Sequence, residues 1–95
     1  MNLARVAGTV VATQKEASLT GAKLLILERL SERMKPLGDF VVAVDAVGAG
    51  EGEVVLYAAG SSARQTTITK ERPVDAVIMA IVDSFTIGDE TVFRK

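Results

Sequence analysis

The chain has 95 residues, 48% of them apolar, with 11 basic and 12 acidic side chains and a net charge of −1. That length supports one domain with a small core, and the near-neutral charge excludes the dense cationic face on which nucleic-acid binding rests. With no cysteine and no histidine, the chain lacks a disulfide frame, a thiolate metal site and the commonest general base.

Residues 3–12 read as a strand. Leu3, Arg5, Ala7, Thr9 and Val11 fall on one face, and Ala4, Val6, Gly8, Val10 and Ala12 on the other. Gly8 in mid-strand predicts a bulge or bend. Residues 15–21 form a polar loop with Ser18, Thr20 and Gly21 as turn formers. Leucine and glutamate in residues 23–30 favour a helix by propensity. The run is short, however, and lies between Gly21 and Pro36-Leu37-Gly38, so we read a strand. Residues 31–39 connect it to the next element.

Residues 40–47 and 53–59 are β-branched runs joined by Gly48-Ala-Gly-Glu-Gly52, the clearest hairpin signal in the chain. Ser61 or Ser62 is suited to cap a short helix over residues 63–66, because a hydroxyl can accept an orphan amide there. Residues 67–72 read as polar and exposed, and Pro73 fixes a turn. Residues 74–87 then hold the last long strand, which Gly88 ends. No signal peptide is apparent, and the apolar run 76–82 is far short of the ~20 residues of a membrane helix. We therefore expect no membrane partner and a cytoplasmic protein. Five strands and one short helix suit a mainly β fold, a small five-stranded OB-like Greek-key barrel forming a single domain over residues 1–95.

Chemistry is sparse in this pattern. The alternating Gly48, Gly50 and Gly52 are followed by a strand and by no lysine. They match neither a dinucleotide fingerprint nor a phosphate loop, and tight turns or close packing explain them better. Gly60-Ser-Ser-Ala-Arg64 has the parts of an anion nest. A capped helix with Arg64 reaching a carboxylate or carbonyl across an interface needs fewer assumptions. Asp45 and Asp83 lack the cleft that an acid–base pair requires, and an ion pair, a turn hydrogen bond or exposure suits them better. Without histidine, only lysines could activate Ser61 or Ser62. We therefore expect no catalytic, metal or cofactor-binding residues. The alternative function open to the fold is a single-stranded nucleic-acid-binding module. Four dispersed aromatics, Phe40, Tyr57, Phe85 and Phe93, give it little support, so we expect no nucleic-acid partner.

Several ordered blocks resemble one family. Gly8-Thr-Val-Val-Ala-Thr-Gln-Lys15 and Leu19-x-Gly21-x-Lys-Leu-Leu25 resemble the opening of the CcmL/EutN family of bacterial microcompartment vertex proteins. Ala43-Val-Asp-Ala-Val-Gly-Ala-Gly50, Gly60-Ser-Ser-Ala-Arg-Gln65, and Pro73-Val-Asp-Ala76 with Ala80-Ile-Val-Asp83 continue the likeness. The resemblance implies a partly open barrel that assembles into a flat-topped homopentameric disc with a narrow axial opening. Such discs fill the fivefold corners of a shell otherwise tiled by hexameric proteins. It implies a structural, non-enzymatic role and subunit packing at Gly48, Gly50, Gly52, Ser61, Ser62 and Arg64. The wording of residues 60–65 is closer to catabolic compartments than to carboxysomes. Ser31-Glu-Arg-Met-Lys-Pro36 departs from the acidic, glycine-bearing turn that the family leads one to expect, and residues 67–71 are likewise individual.

Overall fold

The computed structural model describes residues 1–13, 17–19, 21–60, 63 and 75–95. Five of its strands form the barrel: β1 (Asn2–Val10), β2 (Leu24–Leu30), β3 (Pro36–Asp45), β4 (Val54–Ala59) and β5 (Ala76–Ile81). They pair in the order β1-β2-β3-β5-β4, and β4 returns to β1. The ring of strands is therefore complete, where the family resemblance led us to expect a partly open one. Among the described residues, its thinnest seam is the parallel β3–β5 pair, registered at Val44↔Val77 and Asp45↔Ile78.

Strand alternation fills the barrel. Ala4, Val6, Leu25, Leu27, Ala43, Val55, Tyr57, Ala76 and Ile78 form one interior cluster, each no more than 3% exposed. Leu25 and Leu27 point inward between Leu24, Ile26 and Glu28, so period-two burial overrides the helical propensity of this segment. A second cluster lies outside the ring, where Val44, Ala58, Ala63 and Val77 are covered in part by Leu19 and Ala22. Leu19 ends a 3₁₀ turn at Ala17–Leu19. The short helix expected over residues 63–66 lies outside the described residues except for Ala63, which is fully buried.

The bulge in β1 is present, and it does more than bend the strand. Val6 pairs with Leu27 and Gly8 with Ile26, so Ala7 has no cross-strand partner. One extra residue reverses the alternation. Gly8 and Val10 consequently pair with the outward Ile26 and Leu24, and they do not share the face of Ala4 and Val6 as simple alternation implies.

Three further expectations are corrected. The connection after β2 shortens to residues 31–35 because β3 begins at Pro36, which pairs with Leu30; a first strand position tolerates proline's missing N–H. β3 and β4 do not form a hairpin, because β5 lies between them. The glycine link instead crosses the barrel end and delivers the chain to β1, with Gly52 N–H donating to Val6 O (2.8 Å) and Val6 N–H to Glu53 O (2.9 Å). The long last strand is also broken. Val82 N–H still bonds Val54 O of β4 (2.8 Å), but beyond it the chain continues as β6 (Ser84–Ile87) and β7 (Glu90–Arg94) in a separate two-stranded sheet. Its two-residue Gly88-Asp89 turn is a hairpin signal that reading residues 74–87 as one strand obscures. Among the described residues, no helix is long and apolar enough to cross a membrane.

Candidate subunit interface

The turn at residues 48–52 is positioned by its own chain. The Asp45 side chain is only 2% exposed. Its Oδ1 accepts the N–H groups of Val47 and Gly48, both at 3.0 Å. Short carboxylates favour turns because they satisfy the backbone two and three residues ahead. Lys23 Nζ lies 3.7 Å from Asp45 Oδ2 and donates to Ala49 O at 3.2 Å. Ala49 itself is 1% exposed and packs into the interior cluster, closing that end of the barrel.

The three glycines have different roles. Gly48 (φ +79) and Gly52 (φ +88) occupy the left-handed region, where an L side chain is strained even though a Cβ there would meet nothing within 4 Å. Gly50 has an ordinary φ, and a Cβ on it would lie 3.3 Å from Glu53 Oε1. Its N–H donates to that oxygen at 2.6 Å, while Glu53 Oε2 accepts Lys95 Nζ at 2.8 Å. Lys95 and then the Gly50 amide hold the Glu53 carboxyl below its ordinary pKa. Glu53 in turn raises the Lys95 ammonium. Arg5 Nη1 adds a bond to Gly52 O at 2.9 Å. The turn is thus clasped to β1, to Lys23 and to the C-terminal residue. Ser61, Ser62 and Arg64, the other residues expected at a subunit contact, lie outside the described residues.

The two suspected acids do ordinary work. Asp45 braces the turn, whereas Asp83 is 84% exposed and stands 3.9 Å from Lys95 Nζ. Among the described residues, no group of three or more acidic side chains could hold a metal ion. The aromatics form no common platform. Tyr57 is inside the barrel with its hydroxyl accepting from Arg29 Nε (3.1 Å), and Arg29 Nη1 bonds Asp39 Oδ2 at 2.7 Å. Phe85 and Phe93 face each other in the β6–β7 sheet with centroids 6.3 Å apart. Only Phe40 stands on the outer barrel wall, 59% exposed. The stacked rings that bind single strands are therefore not assembled here.

Sequence reasoning missed the outward side of β3. Residues 40–47 read only as a β-branched run, with neither face assigned, and Leu37 falls in the connection before it; in the structure Leu37, Phe40 and Val42 are 51%, 59% and 49% exposed. Apolar residues at both parities of the strand signal more than one small core can cover, without saying which face is left bare.

Among the described residues, the polar side chains around the clasped turn hold the closed five-stranded barrel's own backbone. The family model described as ethanolamine utilisation protein EutN/carboxysome matches residues 1–83, and the chain belongs to this EutN/CcmL family of structural shell vertex proteins, which are not enzymes. It is 44% identical over 95 residues to the carboxysome shell vertex protein CcmL of Gloeobacter violaceus, spanning 100% of this chain and 95% of the relative. The solved structure of that protein matches with a TM-score of 0.95 over 100% of this chain and 98% of the other. The microcompartment shell vertex protein GrpN of Rhodospirillum rubrum is 50% identical over 84 residues, 88% of this chain and 94% of that one. Its structure, described as a pentameric microcompartment shell protein, matches with a TM-score of 0.84 at 47% identity over 92% and 99% of the two chains. The shell vertex protein EutN of Salmonella typhimurium is 42% identical over 95 residues, 100% of this chain and 96% of the relative.

Proposed function

We propose that residues 1–95 act as one domain that assembles into a homopentamer and caps the fivefold vertices of a bacterial microcompartment shell in the cytoplasm, beside hexameric shell proteins. The observation that carries this reading is the likeness over most of its length to GrpN, whose structure is described as pentameric. The physical reason is geometric. A sheet of hexagons is flat, closure requires fivefold defects, and a heterologous contact that closes after five copies supplies them. Subunit packing is assigned to Gly48, Gly50 and Gly52 of the clasped turn and to Ser61, Ser62 and Arg64. The test of that assignment is native mass spectrometry of Gly50→Val and Arg64→Ala; a pentamer of undiminished stability in both removes these residues from the contact.

The compartment is read as catabolic from the wording of residues 60–65. Identities of 44% and 42% to the CcmL and EutN relatives do not separate the two classes. The vertex role is tested by expressing a hexameric shell protein with and without this chain. Electron microscopy should show closed particles only when the chain is present; equally closed particles in both samples overturn the role.

A further inference from the structure

The β6–β7 hairpin is attached differently from every other strand. Each of the five barrel strands carries buried side chains, whereas no residue of β6 or β7 is buried. The hairpin shares no ladder with the barrel. It does cohere as a unit. Phe85 lies opposite Phe93 in register with ring centroids 6.3 Å apart, and Lys95 N–H donates to Asp83 O at 2.7 Å, closing its base. Val82 makes the last backbone bond to the barrel among the described residues, so the chain is free to bend at Val82–Asp83, between β5 and β6.

Among the described residues, two ion pairs join this unit to the barrel. Near the tip, Arg33 Nη1 lies 2.7 Å from Glu90 Oε1; at the base, Lys95 Nζ lies 2.8 Å from Glu53 Oε2. The tip partners are 48% and 63% exposed and the base partners 53% and 25%. Exposed pairs are weak and are screened by salt, and a two-stranded hairpin has little stability of its own in water. The receiver of the tip pair is fixed by contrast. Ser31 Oγ accepts the N–H groups of Arg33 and Lys35, both at 3.2 Å, while Ser31 N–H donates to Lys35 O at 2.9 Å and Ser31 O accepts Met34 N–H at 3.0 Å. Met34 is held at φ +64, a strain that persists only where the surroundings over-determine it. Residues 84–88 place the tip about 17 Å from the bend at about 3.4 Å per residue, so a swing of about 15° displaces it by about 4 Å and parts the pair.

We propose that the β6–β7 hairpin is a salt-latched arm that pivots at Val82–Asp83, docked by Arg33–Glu90 and Lys95–Glu53, and that its docking orders the turn at residues 48–52. The coupling runs through one carboxylate. Glu53 Oε2 takes Lys95 while Oε1 accepts Gly50 N–H at 2.6 Å. When the arm swings out it carries Lys95 away, and the Glu53 side chain loses the contact that holds it against Gly50. All the groups belong to one chain, so the arm does not depend on the homopentamer reading.

The test is amide hydrogen exchange of the whole chain at about 0.01 M and about 1 M sodium chloride, between which the Debye length falls from about 30 Å to about 3 Å. Relative to Leu25, Leu27 and Val55 of the barrel, residues 84–95 should exchange about two- to fivefold faster at high salt, the range set by one exposed pair. Arg33→Glu and Glu90→Arg should each produce that acceleration already at low salt, and combining them should reverse it. Gly50 gives the decisive reading. Its amide should exchange at least twofold faster in Arg33→Glu, although Arg33 makes no contact with the turn. The wild-type salt series decides the question even if a variant misfolds. Hairpin exchange that ignores both salt and the single reversals overturns the arm. A faster hairpin with Gly50 unmoved overturns its control of the turn, and the proposal with it. Protection of residues 84–95 that rises with chain concentration gives the hairpin to a neighbouring copy, which overturns the arm and leaves the homopentamer reading standing.

Discussion

Alanine at each glycine of the clasped turn separates backbone strain from contact. Gly52 sits at φ +88 with nothing within 4 Å of a built Cβ, so Gly52→Ala meets no steric obstacle. Its cost is the strain of an L residue in the left-handed region, about 1–2 kcal/mol. Alanine also restricts the unfolded chain, which returns about 0.4–1 kcal/mol. The net loss should be close to ~1 kcal/mol, a fall of roughly 4–8 °C in melting temperature for a domain of this size. Gly48→Ala, at φ +79, should behave alike. Gly50→Ala has no such strain. Its Cβ lies 3.3 Å from Glu53 Oε1, the far end of a flexible side chain, so its effect should stay within about ±0.5 kcal/mol. The assay is thermal unfolding followed by circular dichroism at one fixed chain concentration, because assembly makes the midpoint concentration-dependent. Gly52→Asn should recover part of the loss, since asparagine tolerates this region better. If Gly50→Ala proves as destabilising as Gly52→Ala, contact rather than backbone conformation controls the turn and the reasoning fails.

Leu27 is fully buried in the barrel, so Leu27→Ala should cost about 2–5 kcal/mol in denaturant unfolding; a loss below ~1 kcal/mol would show that the barrel is not packed around it. Asp45→Ala leaves the Val47 and Gly48 amides without their acceptor and should cost about 1–3 kcal/mol, while Asp45→Asn, which keeps an oxygen, should cost clearly less in the same melts. Glu53 is held below its ordinary pKa by Lys95 and the Gly50 amide, so its stabilising contribution is complete above the unfolded value of about 4.3 and is lost as pH falls through the folded one. Acid titration of stability should therefore flatten in Glu53→Gln; an unchanged profile would remove the clasp. Lys95 is raised by Glu53, and the sign reverses: its contribution is complete below the unfolded value of about 10.4 and is lost as pH rises through the folded value. Met34 has φ +64 in the β2–β3 turn, a conformation costly for a side chain. Met34→Gly should thus be neutral to stabilising by up to about 1 kcal/mol after the extra freedom of unfolded glycine is counted, and a clear loss would show that the methionine side chain has a packing role.

Local pattern accounts for most of the strands and for the bulge near Gly8, because alternation and a mid-strand glycine act within a few residues. It also made catalysis improbable, since absent histidine and cysteine need no fold to be noticed. The order of strands was a different matter. Gly48-Ala-Gly-Glu-Gly52 looks like a hairpin because a turn is a local property, yet which strand receives the chain depends on closure of the whole ring. The ladder bonds of Val6 with Gly52 and Glu53 decided it. The apolar run at residues 40–44 carried no sign of which side would be covered, because burial on one face of β3 depends on the curvature of the ring. One unpaired residue, Ala7, then set which side chains of β1 face outward. Composition argued against catalysis and gave the chain a high apolar fraction for its length, 48%. Only the tertiary structure decided where those apolar residues lie, because strand pairing across long sequence separations chooses which faces meet the interior and which stay exposed.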